Sequence, residues 1–265
     1  MKKIFVLFTA LVLVFTLSAC NKDEGKLRVG MDLRWPPFET IKTDGTPSGI
    51  SVDVAYALGE YLGREVEIVN LEFAGLITAL NTEDIDIVIA SMSITDERKL
   101  SIDFTDPYFY FPLLTVVHKD TGITTLEDLL ATPDLVWVGP KSFVSLTIPL
   151  ELATDPIIMQ KQNASAALFE LTSGNADAFI ISASSAVGYH NDNPTITNLI
   201  WDPIMYSPIG MGVKKGNDEL LEKANEFING LEENGIYDEL RLKYDSVIAV
   251  ELPGQGLDFY LKDEE

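Results

Sequence analysis

Ile85-Asp86-Ile87-Val88-Ile89-Ala90-Ser91-Met92-Ser93-Ile94-Thr95-Asp96-Glu97-Arg98 is the stretch from which the fold is read. Ile85 to Ala90 is a short apolar run rich in β-branched residues, the pattern of a strand buried on both faces. Small hydroxyl residues follow it, and an arginine stands a turn later. In α/β sheets ligands bind outside the carboxyl ends of strands, so this is where a site is expected. Exposed backbone N–H groups, the Ser91 and Ser93 hydroxyls and the planar guanidinium of Arg98 suit a carboxylate, because the fork can pair both oxygens at once. On spacing alone, Arg98 fits equally well a surface ion pair with Asp96 or Asp103. Asp84 and Asp86 flank the strand, and with no cluster of carboxylates and histidines beside them they predict no metal site.

Toward the N-terminus, Leu27 to Met31 alternates as a short strand and breaks at Asp32-Leu33-Arg34-Trp35-Pro36-Pro37-Phe38-Glu39, where two consecutive prolines exclude a helix. Val52, Ala55, Leu58 and Leu62 recur at helical spacing, with Gly63 placed as a stop. Glu65 to Asn70 reads as a strand and Gly75 to Leu80 as a short helix, which gives β, α, β, α, β. Trp35, Phe38 and Phe73 fall on loops at strand ends. They are either core or a stacking surface for a ligand, and Asp32 and Arg34 beside Trp35 favour a polar recognition loop.

Toward the C-terminus a second series appears. Leu126 to Leu130 is helical, Leu135 to Val138 a strand, Leu146 to Leu152 a helix weakened by Pro149, Pro156 to Met159 a strand, Ala164 to Leu171 a helix and Ala178 to Ile181 a strand. Two βα series predict two α/β lobes with mostly parallel sheets. Glu219 to Leu231 carries Leu220, Leu221, Ala224, Phe227, Ile228 and Leu231 on one helical face and ends at Gly235. Ser184 and Ser185 lie near His190, but no G-x-S-x-G turn surrounds them, so nucleophilic catalysis has little support.

The 265 residues and 29.3 kDa, with 46% hydrophobic residues, provide a sizeable core, while a single cysteine can make no internal disulfide. The formal net charge of −22 opposes phosphate backbones, and no basic patch offsets it, so nucleic acid is excluded as a partner. Met1-Lys2-Lys3, the apolar run to Phe15, and Leu17-Ser18-Ala19-Cys20 have the layout of a secretory signal. Leu17 to Cys20 resembles a bacterial lipobox, which predicts cleavage after residue 19, acylation of Cys20 and a polar tether over 20–26. Removing residues 1–19 takes two lysines with it and makes the charge two units more negative.

The order of motifs from about residue 27 to 245 resembles the amino-acid-binding components of ABC importers, solute-binding proteins of family 3. The resemblance is carried by Gly30-Met31-Asp32 through Glu39, Gly49 through Ala55, Phe73 through Leu80, and Asp86. It continues with Ser91-Met92-Ser93-Ile94-Thr95 and Arg98, Asp103 through Tyr108, Gly174 through Ala178, and Val213 through Asn217.

It implies a two-lobed periplasmic-binding-protein-like fold of type II, with lobe 1 at 27–114 and 211–250, lobe 2 at 118–205, two hinge crossings and a solvated tail at 251–265. It also implies ligand capture by hinge closure, a monomer without cofactor, attachment to the outer face of the cell membrane, and delivery to a permease and its ATPase. Carried over by position, Arg98 holds the ligand's α-carboxylate with Ser91, Met92 and Ser93 around it. Trp35 and Phe73 sandwich the side chain, and Asp32 meets its polar or cationic end.

Two positions depart from the family pattern. Ser182 stands where an aspartate usually grips the α-ammonium, and Lys141-Ser142 replaces a Gly-Thr. A serine supplies no charge, so the expected ligand is a modified amino acid, or a carboxylate whose amine is absent, substituted or displaced. The same scaffold also hosts enzymes resembling cyclohexadienyl dehydratases. These need a general acid, and Ser182-Ala183-Ser184-Ser185 offers none. A binding module serving a separate sensor is a third possibility.

Overall fold

The computed structural model describes residues 25–141 and 143–261. The signal sequence, Cys20, most of the tether, Ser142 and the last four residues lie outside them.

The chain opens with β1 (Leu27–Met31), a small hairpin of β2 (Thr40–Ile41) and β3 (Pro47–Ser48), and α1 (Ile50–Leu62). Gly63 closes α1 in the left-handed conformation at φ 67°, which a side chain would strain. Next come β4 (Val66–Asn70), α2 (Leu76–Asn81), β5 (Ile87–Val88), α3 (Asp96–Lys99), β6 (Asp103–Phe104) and the long β7 (Phe109–His118). The second series runs through α4 (Leu126–Ala131), β8 (Val136–Pro140), α5 (Ile148–Leu152), β9 (Ile157–Lys161), α6 (Ala164–Thr172), β10 (Ala178–Ser182) and α7 (Ala183–Asp192). The chain returns through β11 (Thr197–Ile209) and β12 (Gly212–Val213) and finishes with α8 (Asp218–Asn229) and α9 (Ile236–Glu251).

Two five-stranded sheets result, ordered β4-β1-β5-β12-β6 and β11-β7-β10-β8-β9. Strands within each βα series pair in parallel, as right-handed crossovers require. Every antiparallel pairing described in these two sheets involves β7 or β12, where the chain leaves and re-enters the first sheet. This is the two-lobed α/β architecture expected from the sequence. β7 and β11 run antiparallel from Phe109↔Ile209 to His118↔Thr197, with a register shift between Ile200 and Met205. A pair of adjacent strands lets the two sheets tilt about one line while keeping most backbone hydrogen bonds.

Several details differ from expectation. Pro149 falls in the first turn of α5, where its missing N–H costs nothing, so it starts that helix instead of interrupting it. Gly235 does not end a helix but precedes α9, a helix with no clean apolar stripe: Leu242 and Val250 are largely exposed. The segment after Glu251 is not a solvated tail. Leu252, Leu257 and Tyr260 are buried, and Tyr260 packs on Phe38 and Phe111 with ring centres 4.9 and 5.2 Å apart. Asp86 does flank its strand as expected, accepting from Arg28 at 2.6 Å and facing Arg64 at 3.5 Å.

Candidate functional site

A cavity lies between the two sheets at the carboxyl ends of their parallel strands. One wall carries Trp35 and Phe38 from the loop after β1, Phe73 before α2, and Ser91, Ser93 and Arg98 beyond β5. The other carries Phe143, Val144, Ile180, Ile181 and Ser182, and Phe111, Leu113 and Ile209 come from β7 and β11.

Arg98 is held from several sides. Thr95 caps α3 by accepting the Arg98 N–H at 3.2 Å, which fixes where the side chain leaves the backbone. Its Nη1 donates to the Ser93 carbonyl at 2.7 Å, and its guanidinium lies 5.2 Å from the centre of the Phe73 ring. Burial lowers its pKa to about 10, with Glu97 opposing, so it stays charged at neutral pH. Asp96 and Asp103 pair instead with Lys99 and Lys215. A nearly buried guanidinium with serine hydroxyls beside it, at the end of an apolar chamber, is equipped to hold a carboxylate.

Ser93 is tied to a crossing strand: the Ser207 and Ser93 hydroxyls are 2.6 Å apart, and Ile94 N–H donates to the Pro208 carbonyl at 2.8 Å. Ser91 sits at φ 49°, a left-handed backbone unusual for a residue with a side chain. Its hydroxyl lies 2.7 and 3.0 Å from the two carboxyl oxygens of Glu39. Met92 does not reach the cavity. It is fully buried among Leu76, Leu80 and Ile102, because alternate residues of an extended segment face opposite ways.

Asp32 stands outside this chamber but lines the adjoining pocket, which shares Trp35, Pro36, Phe73 and Phe143 with it. Its carboxylate is nearly buried, accepting from Arg34 Nε and Nη2 at 2.6 and 2.7 Å and from the Phe73 N–H at 3.0 Å. Arg34 pairs with Glu72 as well, at 2.8 and 2.9 Å. These contacts raise the Arg34 pKa further above its usual value, so Asp32 is matched by a permanent cation. Trp35 and Phe73 do form aromatic walls, but Phe143 reaches between them, with ring centres 5.7 Å from Trp35 and 5.0 Å from Phe73.

Ser182 lines the cavity 3.2 Å from Ser185, hydroxyl to hydroxyl. Among the described residues no aspartate or glutamate lines this chamber, whereas the adjoining pocket, which shares Trp35, Phe73 and Phe143 with it, carries Asp32, Glu72 and Asp192; none of the described histidine, cysteine and carboxylate groups cluster as a metal site would need. Phe143, Phe111, Ile180 and Ile181 were not anticipated. Phe111 and Leu113 share one face of β7 by simple alternation, a signal present in the sequence, whereas nothing local marks Phe143 as the neighbour of Trp35.

The profile of the bacterial extracellular solute-binding proteins, family 3, matches residues 27–246. The chain belongs to that family. This family 3 protein is 29% identical over 255 residues to the arginine-binding extracellular protein ArtP of Bacillus subtilis, covering 92% of this chain and 98% of that one. Among solved structures it is similar to an ancestral arginine-binding protein bound to arginine, with 35% identity, TM-score 0.71, and 83% and 97% of the two chains covered. It is also similar to an ancestral amino acid-binding protein described as a precursor of cyclohexadienyl dehydratase, with 33% identity, TM-score 0.69, and 83% and 94% covered. No helix among the described residues is long and apolar enough to cross a membrane.

Proposed function

We propose that this family 3 protein is the monomeric receptor of an ABC importer. In this reading it is anchored outside the cell membrane through an acylated Cys20 after removal of residues 1–19, and it delivers its solute to a permease and its ATPase. Lobe 1 comprises 27–114 and 211–250, lobe 2 comprises 118–205, and closure about β7 and β11 buries the solute.

The solute is a small carboxylate with an apolar body. One observation carries this: the chamber joins Arg98, the only buried cation among the described residues, to aromatic and aliphatic walls interspersed with serine hydroxyls, and none of its described lining residues is a carboxylate. A cationic solute such as the arginine of the relatives would enter that chamber without a counter-charge, since Asp32 is taken up by Arg34 and Ser182 is neutral. An amine-free acid, or an amino acid with its amine substituted, leaves no buried charge unmatched. Arg98, Ser91 and Ser93 receive the carboxylate, while Trp35, Phe73 and Phe143 surround the body.

Calorimetric titration tests this with phenylacetate, 3-phenylpropionate, isovalerate, N-acetyl-L-phenylalanine, L-phenylalanine, L-glutamine, L-arginine and L-lysine. Apolar acids are expected to bind more tightly than their free amino-acid counterparts, and both more tightly than arginine or lysine. Tightest binding of a cationic amino acid would overturn the assignment. The similarity to a dehydratase precursor favours a check for turnover of prephenate and arogenate. None is expected, because among the described residues no carboxyl group lines the chamber around Arg98 to act as general acid.

A further inference from the structure

Glu39 has no ion-pair partner among the contacts described for it, yet it is fully buried directly behind the cavity wall. Ser91 stands between Glu39 and the cavity and has one hydroxyl proton to give. It holds a left-handed backbone at a cost of about 1 kcal/mol, a strain that glycine would not feel. If Glu39 is ionised, it can only accept, the Ser91 proton turns toward it, and lone pairs face the ligand. If Glu39 is neutral, its own O–H donates to Ser91 and the Ser91 proton is released toward the cavity.

We propose that Glu39 is a positioning residue for carboxylate binding: protonated Glu39 directs the Ser91 hydroxyl proton onto the ligand's carboxylate, and its ionisation expels the ligand. The inference rests on the carboxylate-receptor reading.

The groups facing Glu39 decide its charge. Ser51 on the first turn of α1 and Ser91 beyond β5 favour ionisation, whereas burial and the negative charge of Asp32 at the end of β1 oppose it. Tyr108, ahead of β7, is held neutral by its own burial and by Glu39. Burial wins and pushes the Glu39 carboxyl up to about 8, which places its proton loss in a window where Arg98 keeps its charge.

Isothermal titration of an amine-free probe, phenylacetate or the tightest simple acid of the panel, between pH 7 and 9 is the test. The dissociation constant is expected to rise about tenfold across that range in the wild type and to stay flat in Glu39→Gln, whose amide can still donate to Ser91. Wild-type titrations at pH 9 in buffers of different ionisation enthalpy should report close to one proton taken up per ligand, and almost none at pH 7. This holds even if the variant folds poorly. Independently of any ligand, infrared spectroscopy should show a carboxylic-acid C=O band that fades with a midpoint near pH 8 and is missing from Glu39→Gln. A wild-type affinity flat from pH 7 to 9, a parallel fall in Glu39→Gln, or no such band at pH 7 overturns the proposal. Failure of every acid to bind at any pH overturns the receptor reading itself, and this inference with it.

Discussion

The rings of Tyr260 and Phe38 meet edge to face at 4.9 Å, and Phe38 in turn lies 4.4 Å from Phe111, so a residue beyond the family match supports two side chains that line the cavity. The segment is fastened by Leu257 N–H donating to Asp245 at 2.8 Å and by Arg241 donating to Asp258 at 2.8 Å. Tyr260→Ala should cost about 3 kcal/mol in chemical denaturation, with weaker ligand binding, whereas Tyr260→Phe should retain most of both. Unchanged stability in the alanine variant would mean that the packing contributes nothing.

Arg34 neutralises Asp32, a carboxylate of the pocket adjoining the ligand chamber. Replacing it in Arg34→Ala leaves the Asp32 carboxylate with only the Phe73 N–H, and affinity for L-arginine should rise about tenfold relative to phenylacetate. Titration of both ligands against wild type and variant reads the ratio.

Ser182→Asp supplies the missing partner for an α-ammonium. A charge-assisted hydrogen bond replaces a neutral one, so free α-amino acids should gain about tenfold in affinity over their N-acetylated forms. Equal effects on both forms would show that residue 182 does not face the amine.

The raised pKa of Glu39 has a consequence for stability with a definite sign. Its ordinary value is 4.5 and its folded value about 8, so between them the folded chain holds a proton that the unfolded chain has released. Stability is therefore fully present below pH 4.5 and falls as the pH rises toward 8, by an amount on the order of 4 kcal/mol. Urea denaturation of wild type and Glu39→Gln at pH 5 and 8 measures it, and the difference between the two proteins should grow in the variant's favour at pH 8.

Much of the fold was legible because each buried element carries its own signal. The apolar spacing of α1 with Gly63, the β-branched run into Ser91, and the Pro-Pro loop all read correctly from local sequence. Arg98 and Ser93 were legible for the same reason, since chain direction alone carries them past a strand end. Failures came where the local signal is absent or two-valued. The motif alone groups Met92 with Ser91 and Ser93, although strand alternation turns it into the core. Pro149 breaks or starts a helix depending only on its position in the turn, and α9 spreads apolar residues around its surface. Phe143 and the Arg34 pairing with Asp32 depend on contacts that no local pattern encodes.

The central claim, that Arg98 receives a carboxylate in a chamber whose other described lining residues are apolar or serine, is tested most directly by titrating phenylacetate or the tightest acid of the panel into wild type and Arg98→Ala at pH 7. The account predicts saturable binding to the wild type and a loss of about a hundredfold in the variant, since removing one side of a buried charge pair strands the other. Equal affinity in the two proteins would contradict it.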